Sequence, residues 1–171
     1  IMLNMRPVTF TSAMERLEGY GTEIAKKTPL KPGDIVICHS VSGRNAVMLD
    51  FVVEAQKKGA KIIAVTNVSY SKSVNSRHSS GKRLFELADI TIDNHGEIGD
   101  ASVSFDGLPQ KVAPSSTIAG AAIVNSIICG VVEILLDEKI DPPILYSANM
   151  DGGDEKNNEI FEKYRDNIFY L

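Results

Sequence analysis

Chemistry enters this sequence at His39-Ser40-Val41-Ser42-Gly43-Arg44-Asn45, which joins a short apolar run to an apolar helical stretch. A helix start offers unpaired N–H groups and a partial positive charge, and both favour an anion. Gly43 permits a tight turn and lets a ligand oxygen approach the backbone. Ser40 and Ser42, two residues apart, add hydroxyl donors to the same anion. Together these are the parts of a site for a phosphate monoester. Capping of the helix by Ser42 or Asn45 accounts for the same residue types without a ligand. Other phosphate signatures fail. Gly81-Lys82 is followed by Arg83 and preceded at the earlier glycine position by Ser76, so there is no Walker loop. No Gly-x-Gly-x-x-Gly follows the first apolar run, which removes the main support for a dinucleotide site.

Proton transfer between adjacent carbons needs a positioned base and acid. Glu97 and Asp100 lie in a loop after the third apolar run, and a solvated acidic loop is the alternative for both. His78 lies in Ser69–Arg83, a serine-rich and basic stretch that reads either as a lid over a phosphate or as a solvated loop. His95 titrates in the useful range but stands alone in a loop. Glu133, on an apolar helix, should face an edge, an interface or the site. No His, Cys or Asp set has metal-ligand spacing, so neither metal nor cofactor is expected.

The elements that must position these groups follow from the hydrophobic pattern. Ser12-Ala13-Met14-Glu15 fits a capping box opening a helix over 12–27. Ile35–Cys38, Ile62–Val65 and Ile90–Ile92 are continuous apolar runs, the pattern of strands buried on both faces. Helices are predicted over 45–58, with Gly59 as the stop, and over 80–88. Strands alternating with helices at this spacing indicate βαβ units and a parallel sheet. Residues 102–105 and 108–112 flank Asp106-Gly107 as a hairpin with a type I′ turn, and Pro109 puts the second arm at an edge. An apolar helix then runs from Ser115 to about Glu138. Residues 144–146 form a last extended segment and 154–166 a closing helix.

Composition narrows the class. The 171 residues suit a single domain, 1–171, and the 18 basic against 22 acidic residues leave a net charge of −4. With no basic run, binding to nucleic acid is not expected. Cys38 and Cys129 both lie in apolar segments and read as small buried hydrophobes of a reducing compartment. Val112–Val132 carries no charge but includes Pro114, Ser115, Ser116, Thr117, Asn125 and Ser126. These groups are costly in lipid, so the segment reads as a buried core helix and not as a membrane span. The opening Ile1–Pro7 lacks the pattern of a signal peptide, and a soluble, cytoplasmic protein is expected. The apolar surface of the helices over 45–58 and 115–138 exceeds what one thin sheet covers, which predicts self-association.

Several of these segments carry a resemblance. Ser40-Val41-Ser42-Gly43-Arg44, the helix after it, Gly59-Ala60-Lys61-Ile62-Ile63-Ala64-Val65-Thr66 and Leu87-Ala88-Asp89 resemble a sugar isomerase (SIS) domain. Ser76-Arg77-His78-x-Ser80-Gly81-Lys82, Asp93-Asn94, Gly99-Asp100-Ala101, Ser115-Ser116-Thr117 and Asn149-x-Asp151-Gly152-x-Asp154 are similar to a bacterial branch of that family related to phosphosugar isomerases. The resemblance implies an α/β, doubly wound parallel sheet with flanking helices, Rossmann-like or flavodoxin-like. It implies binding of a phosphorylated sugar, often by a dimer or tetramer. Family phosphate contacts carry over to Ser40, Ser42, the Gly43 backbone and Asn45, with a further hydroxyl from Thr66 to Ser69. Ser115, Ser116 and Thr117 match a sugar-facing position. The family's usual first strand, with its glycine-rich and serine-containing turn, has no counterpart before Ser12. This leaves the domain N-terminally incomplete and without the carboxylate that several family isomerases take from there. The histidine that some of them carry on the apolar helix is also missing. An aldose–ketose isomerase drawing its base from Glu97, Asp100 or His78 is therefore expected, with a non-catalytic sugar-phosphate sensor as the alternative.

Overall fold

A computed structural model describes residues 7–168. They fall into two compact units, one ending at Ile123 and the other starting at Val124. The first holds a three-stranded parallel sheet in the order β1 (Ile35–His39), β2 (Lys61–Thr66), β3 (Ile90–Asp93). Cys38 pairs with Ala64, and Ala64 with Thr91. Helices α1 (Val8–Met14), α2 (Tyr20–Lys27), α3 (Ala46–Lys57), α4 (Val68–Ser73) and α5 (Leu84–Leu87) accompany it. This is the α/β architecture that the sequence pattern indicates, consistent with the SIS-type fold that the resemblance implies. The order β1-β2-β3 takes both crossovers in one direction, which is one winding of such a sheet.

The core lies on one face of that sheet. Leu49, Val52 and Ala55 of α3 pack with Cys38, Ile62, Ala64 and Leu84, all but Cys38 fully buried. Alternation puts Ile35, Ile37 and Ile90 on the opposite face, where they are 64%, 36% and 56% exposed. The expectation of strands buried on both faces therefore holds for β2 and fails for β1 and β3, because no described residue fully covers their outward side chains. Burial pushes the Cys38 thiol up to about 11.

The predicted helix over 12–27 is two helices. Ser12 lies inside α1 and opens no capping box. The chain breaks before Gly19, whose φ is +88° and whose N–H donates to Asp50 Oδ2 at 2.6 Å. Gly21 then lets α2 pack onto α3, since a Cβ there would lie 1.9 Å from the Val47 carbonyl oxygen. The C-terminal carbonyls of α2 are collected by Lys58, whose Nζ donates to Ala25, Lys26 and Thr28.

The helix predicted over 80–88 shrinks to α5, four residues long. Serine turns win upstream of it: Ser76 Oγ donates to the Lys82 carbonyl, and Ser80 Oγ accepts from Lys82 N–H. Gly81 adds a φ of +67°. The hairpin is present as β4 (Ala101–Val103) and β5 (Val112–Pro114), antiparallel, with Val103 opposite Val112. Only Gly107 of the turn pair has a positive φ, so the turn is not type I′, and Pro109 falls in the loop between the strands.

Helix α6 (Ser116–Asp137) spans the boundary between the units. The expectation that it is a buried core helix is not met: only Ser116 and Gly120 are buried, and Ile118 is 76% exposed. Its length and hydropathy would suffice to cross a membrane. Cys129 is exposed on it, against expectation; Glu133 is exposed too, which its expected place at an edge or interface allows. In the second unit α7 (Gly153–Lys163) and the 3-10 turn Arg165–Asn167 form the closing helical segment. Residues 144–146 form no strand. The buried Asn157 amide takes the place of a ladder, accepting from Tyr146 N–H at 2.8 Å and donating to its carbonyl at 2.9 Å.

Asp89 ties β2 to the turn before β3. It accepts from Ile62 N–H at 2.8 Å and from Lys61 Nζ at 3.0 Å, and these two contacts, the amide first, hold its carboxyl below the ordinary value of 3.8. A lowered carboxylate stabilises the fold fully above its ordinary value and stops doing so as pH falls through the folded one. Thermal melts of the parent chain and Asp89→Asn should thus differ most near neutrality and converge in acid. In the core, Leu49→Ala is expected to cost ~2–5 kcal/mol in denaturant unfolding.

Candidate functional site

The turn after β1 is built from behind. Thr66, fully buried, donates its hydroxyl to both the Ser40 and Val41 carbonyls, at 2.6 and 2.9 Å. Ser40 N–H donates to Val65, Asn67 N–H to Val41, and Leu84 N–H to the Gly43 carbonyl. Gly43 has a φ of +58°, and a Cβ on it would meet Leu84 Cβ at 3.1 Å and Ser71 Oγ at 3.2 Å. The glycine is required both by its conformation and by this packing.

Held this way, Ser40 and Ser42 are half-buried, and neither hydroxyl has a hydrogen-bond partner among the described residues. Asn45 is the residue before α3 but makes no side-chain cap. Its amide joins two charged groups instead, donating to Glu15 Oε2 at 2.9 Å and accepting from Arg77 Nη1 at 3.1 Å. The Glu15 carbonyl accepts the Val47 N–H in the first turn of α3. A cavity of about 400 Å³ opens here, lined by Glu15, His39, Ser40 and Asn45 at its polar end and by Val47, Met48 and Phe51 along α3. A larger cavity of about 690 Å³, between Pro142, Tyr146 and Lys156 in the second unit, includes none of the residues singled out by sequence.

The other candidates are spread along the same sheet edge and differ in what they can do. Thr66 faces the turn from beneath and is a strut, out of reach of a ligand. Ser69 is exposed in the first turn of α4. Ser116 is buried, and its hydroxyl and N–H both donate to the Asp100 carboxylate, at 2.6 and 2.9 Å. Asp100, at φ +74°, thereby caps α6 with both oxygens engaged. Ser115 N–H donates to the Asp100 carbonyl, and Thr117 is exposed. Glu97 is exposed and paired with Lys111 Nζ at 3.0 Å. His78 is nearly buried, with Nε2 3.1 Å from Asp50 Oδ1 and Nδ1 2.7 Å from Ser80 Oγ. Both ring nitrogens are occupied, so His78 anchors its loop.

Sequence reasoning missed Glu15 and His39 as site residues. Glu15 sits 30 residues from Asn45, and only tertiary packing brings them together. His39 had a legible signal, since it ends β1 beside the serines. Its ring lies against Gly120 of α6, where a Cβ would fall 2.4 Å from Cε1. Among the described residues no group of His, Cys, Asp and Glu is placed to hold a metal ion.

The SIS domain family matches residues 1–67, the part of the chain that carries β1, the serine–glycine turn at its carboxyl edge, α3 and β2. Over all 171 residues the chain is 53% identical to UPF0309 protein ABC0887 of Shouchella clausii and 55% identical to UPF0309 protein OB3413 of Oceanobacillus iheyensis, spanning 70% of each. It is 37% identical over 168 residues to UPF0309 protein SCO4393 of Streptomyces coelicolor, spanning 67% of it. The chain belongs to this UPF0309 family of bacterial SIS-domain proteins, and so to a class of domains that bind carbohydrate derivatives.

Substitutions at two residues separate the roles assigned above. Thr66→Val takes the hydroxyl donor from both turn carbonyls, leaving Val41 with Asn67 N–H, and is expected to cost ~1–3 kcal/mol of stability in denaturant unfolding. Asp100→Ala removes the α6 cap at a cost of ~0.5–2 kcal/mol. If Asp100 is a cap, Asp100→Asn should recover most of that stability in the same measurement.

Proposed function

We propose that the chain binds a phosphorylated sugar, with the phosphate on the Ser40 and Ser42 hydroxyls and the Gly43 backbone, and Asn45 at the cavity rim. The observation that carries this reading is a pair of half-buried hydroxyls at the start of α3 with no partner among the described residues, beside a cavity of about 400 Å³. A phosphate there gains hydroxyl donors and the positive end of a helix of 12 residues. The apolar floor formed by Val47, Met48 and Phe51 suits the carbon face of a sugar.

Catalysis of an aldose–ketose exchange needs a base within reach of the sugar carbons. Of the groups around the cavity, His39 and Glu15 meet that condition, whereas Asp100 and His78 are committed to structural hydrogen bonds. This arrangement favours an isomerase-like reaction over a sensor that only binds. The exposed apolar residues of α6 support self-association into a dimer or tetramer of a soluble, cytoplasmic protein.

Isothermal titration with glucose 6-phosphate should show saturable binding, and Ser42→Ala should weaken it by ~1–3 kcal/mol. An unchanged dissociation constant in Ser42→Ala removes that hydroxyl from the site. Incubation of the chain with glucose 6-phosphate in deuterated water should introduce deuterium beside the carbonyl carbon, and tight binding with no exchange would leave the sensor. Sedimentation at micromolar concentration should give a species larger than a monomer, reduced to a monomer by Ile134→Asp.

A further inference from the structure

We propose that Arg44 and Arg77 form a second anion subsite beside the serine turn, so that the preferred ligand is a sugar phosphate bearing a further carboxylate or phosphate. The proposal rests on the phosphate reading above and narrows its substrate class.

The geometry brings the two guanidinium groups to one place from separate parts of the chain. Arg44 lies inside the turn. Arg77 arrives on the Ser76–Lys82 loop, where its N–H donates to the Arg44 carbonyl at 2.9 Å and its Nη1 to Asn45 Oδ1 at 3.1 Å. That loop is clamped from below by the His78–Asp50 pair and from the side by Ser79 N–H on Glu18 Oε1 at 2.6 Å. Arg77 is thus a positioned residue one hydrogen bond from Asn45, which lines the cavity.

The charge at this point is unbalanced. Arg44 Nε is buried and has no hydrogen-bond partner. Arg16 follows Glu15 in the segment that crosses the start of α3, and it adds a third guanidinium near Arg77. The carboxylates nearby are already engaged: Glu15 on Asn45 Nδ2, Glu18 on Ser79 N–H and Asp50 on His78 and Gly19 N–H. Burial, and then the nearby Arg44 and Arg16, push the Arg77 guanidinium below its ordinary value, while Tyr70 and Glu15 act the other way. Such a gathering of cations is notable in a chain of net charge −4. It also lies at the positive end of a helix, where like charge is disfavoured unless an anion is bound.

A single phosphate in the serine turn uses hydroxyls and amides and leaves these guanidinium groups unused. Guanidinium presents paired donors that match the two oxygens of a carboxylate or phosphate, and charge-assisted bonds of this kind are strong. Asn45 links the two subsites, since it follows the serine turn directly and accepts from Arg77 Nη1.

The test is isothermal titration of the full chain, at one fixed ionic strength, with glucose 6-phosphate, 6-phosphogluconate and fructose 1,6-bisphosphate. The two doubly anionic sugars are expected to bind at least ~10-fold more tightly than glucose 6-phosphate. Arg77→Gln should reduce that preference to below ~3-fold, and Arg77→Lys should restore part of it. The parent chain binding all three sugars equally would overturn the subsite and leave the phosphate reading intact, provided Ser42→Ala still weakens them alike. A preference that survives both Arg77→Gln and Arg44→Gln would also overturn it. Binding of none of the three would overturn both readings.

Discussion

One hydroxyl fixes the geometry on which the site depends. Thr66, at the end of the central strand, donates to two successive carbonyls of the neighbouring turn, Ser40 and Val41. Two carbonyls pointing at one buried donor force the chain to curl back over the strand end. On that curl the Ser40 and Ser42 hydroxyls are half-buried and have no hydrogen-bond partner among the described residues. Gly43 then takes a positive φ because Leu84 and Ser71 close in from below. A threonine side chain under a serine–glycine turn therefore decides whether the start of α3 is open to an anion.

The site is assembled from distant segments around that turn. The broken helix between α1 and α2 delivers Glu15 to Asn45, and its break is held by Gly19 on Asp50. The other oxygen of Asp50 holds His78. One buried carboxylate thus anchors both the segment carrying Glu15 and Arg16 and the loop carrying Arg77. The positive groups near the turn and the negative group that faces them share a common support. A change at Asp50 would disturb both sides of the cavity together.

Much of this was legible in the sequence. Apolar runs and glycine stops gave the strand–helix alternation, and the Ser-x-Ser-Gly spacing after the first run marked the turn. Where sequence reasoning failed, a non-local contact decided the outcome. Ser12 and Glu15 have capping-box spacing, yet Glu15 is drawn to α3 and the box does not form. The stretch from Ser76 to Lys82 looked helical or loose and is instead a set of serine turns around His78. Asp100 has the right residue type and sheet edge for a base, but a neighbouring helix start claims its carboxylate. Thr66 fits a ligand contact by position and points the other way because the turn carbonyls lie closer. Periodicity carries no information about which face of β1 or α6 finds a partner, and both are largely bare here.

The central claim is that the turn from Ser40 to Asn45 receives an anion. The most direct measurement is a set of amide proton–nitrogen spectra of the labelled chain, recorded with glucose 6-phosphate and, separately, with glucose. The account predicts large, saturable shifts of the Ser42, Gly43 and Arg44 amides with the phosphorylated sugar and small ones with glucose. Shifts confined to other parts of the chain, or equal shifts with both sugars, would contradict it.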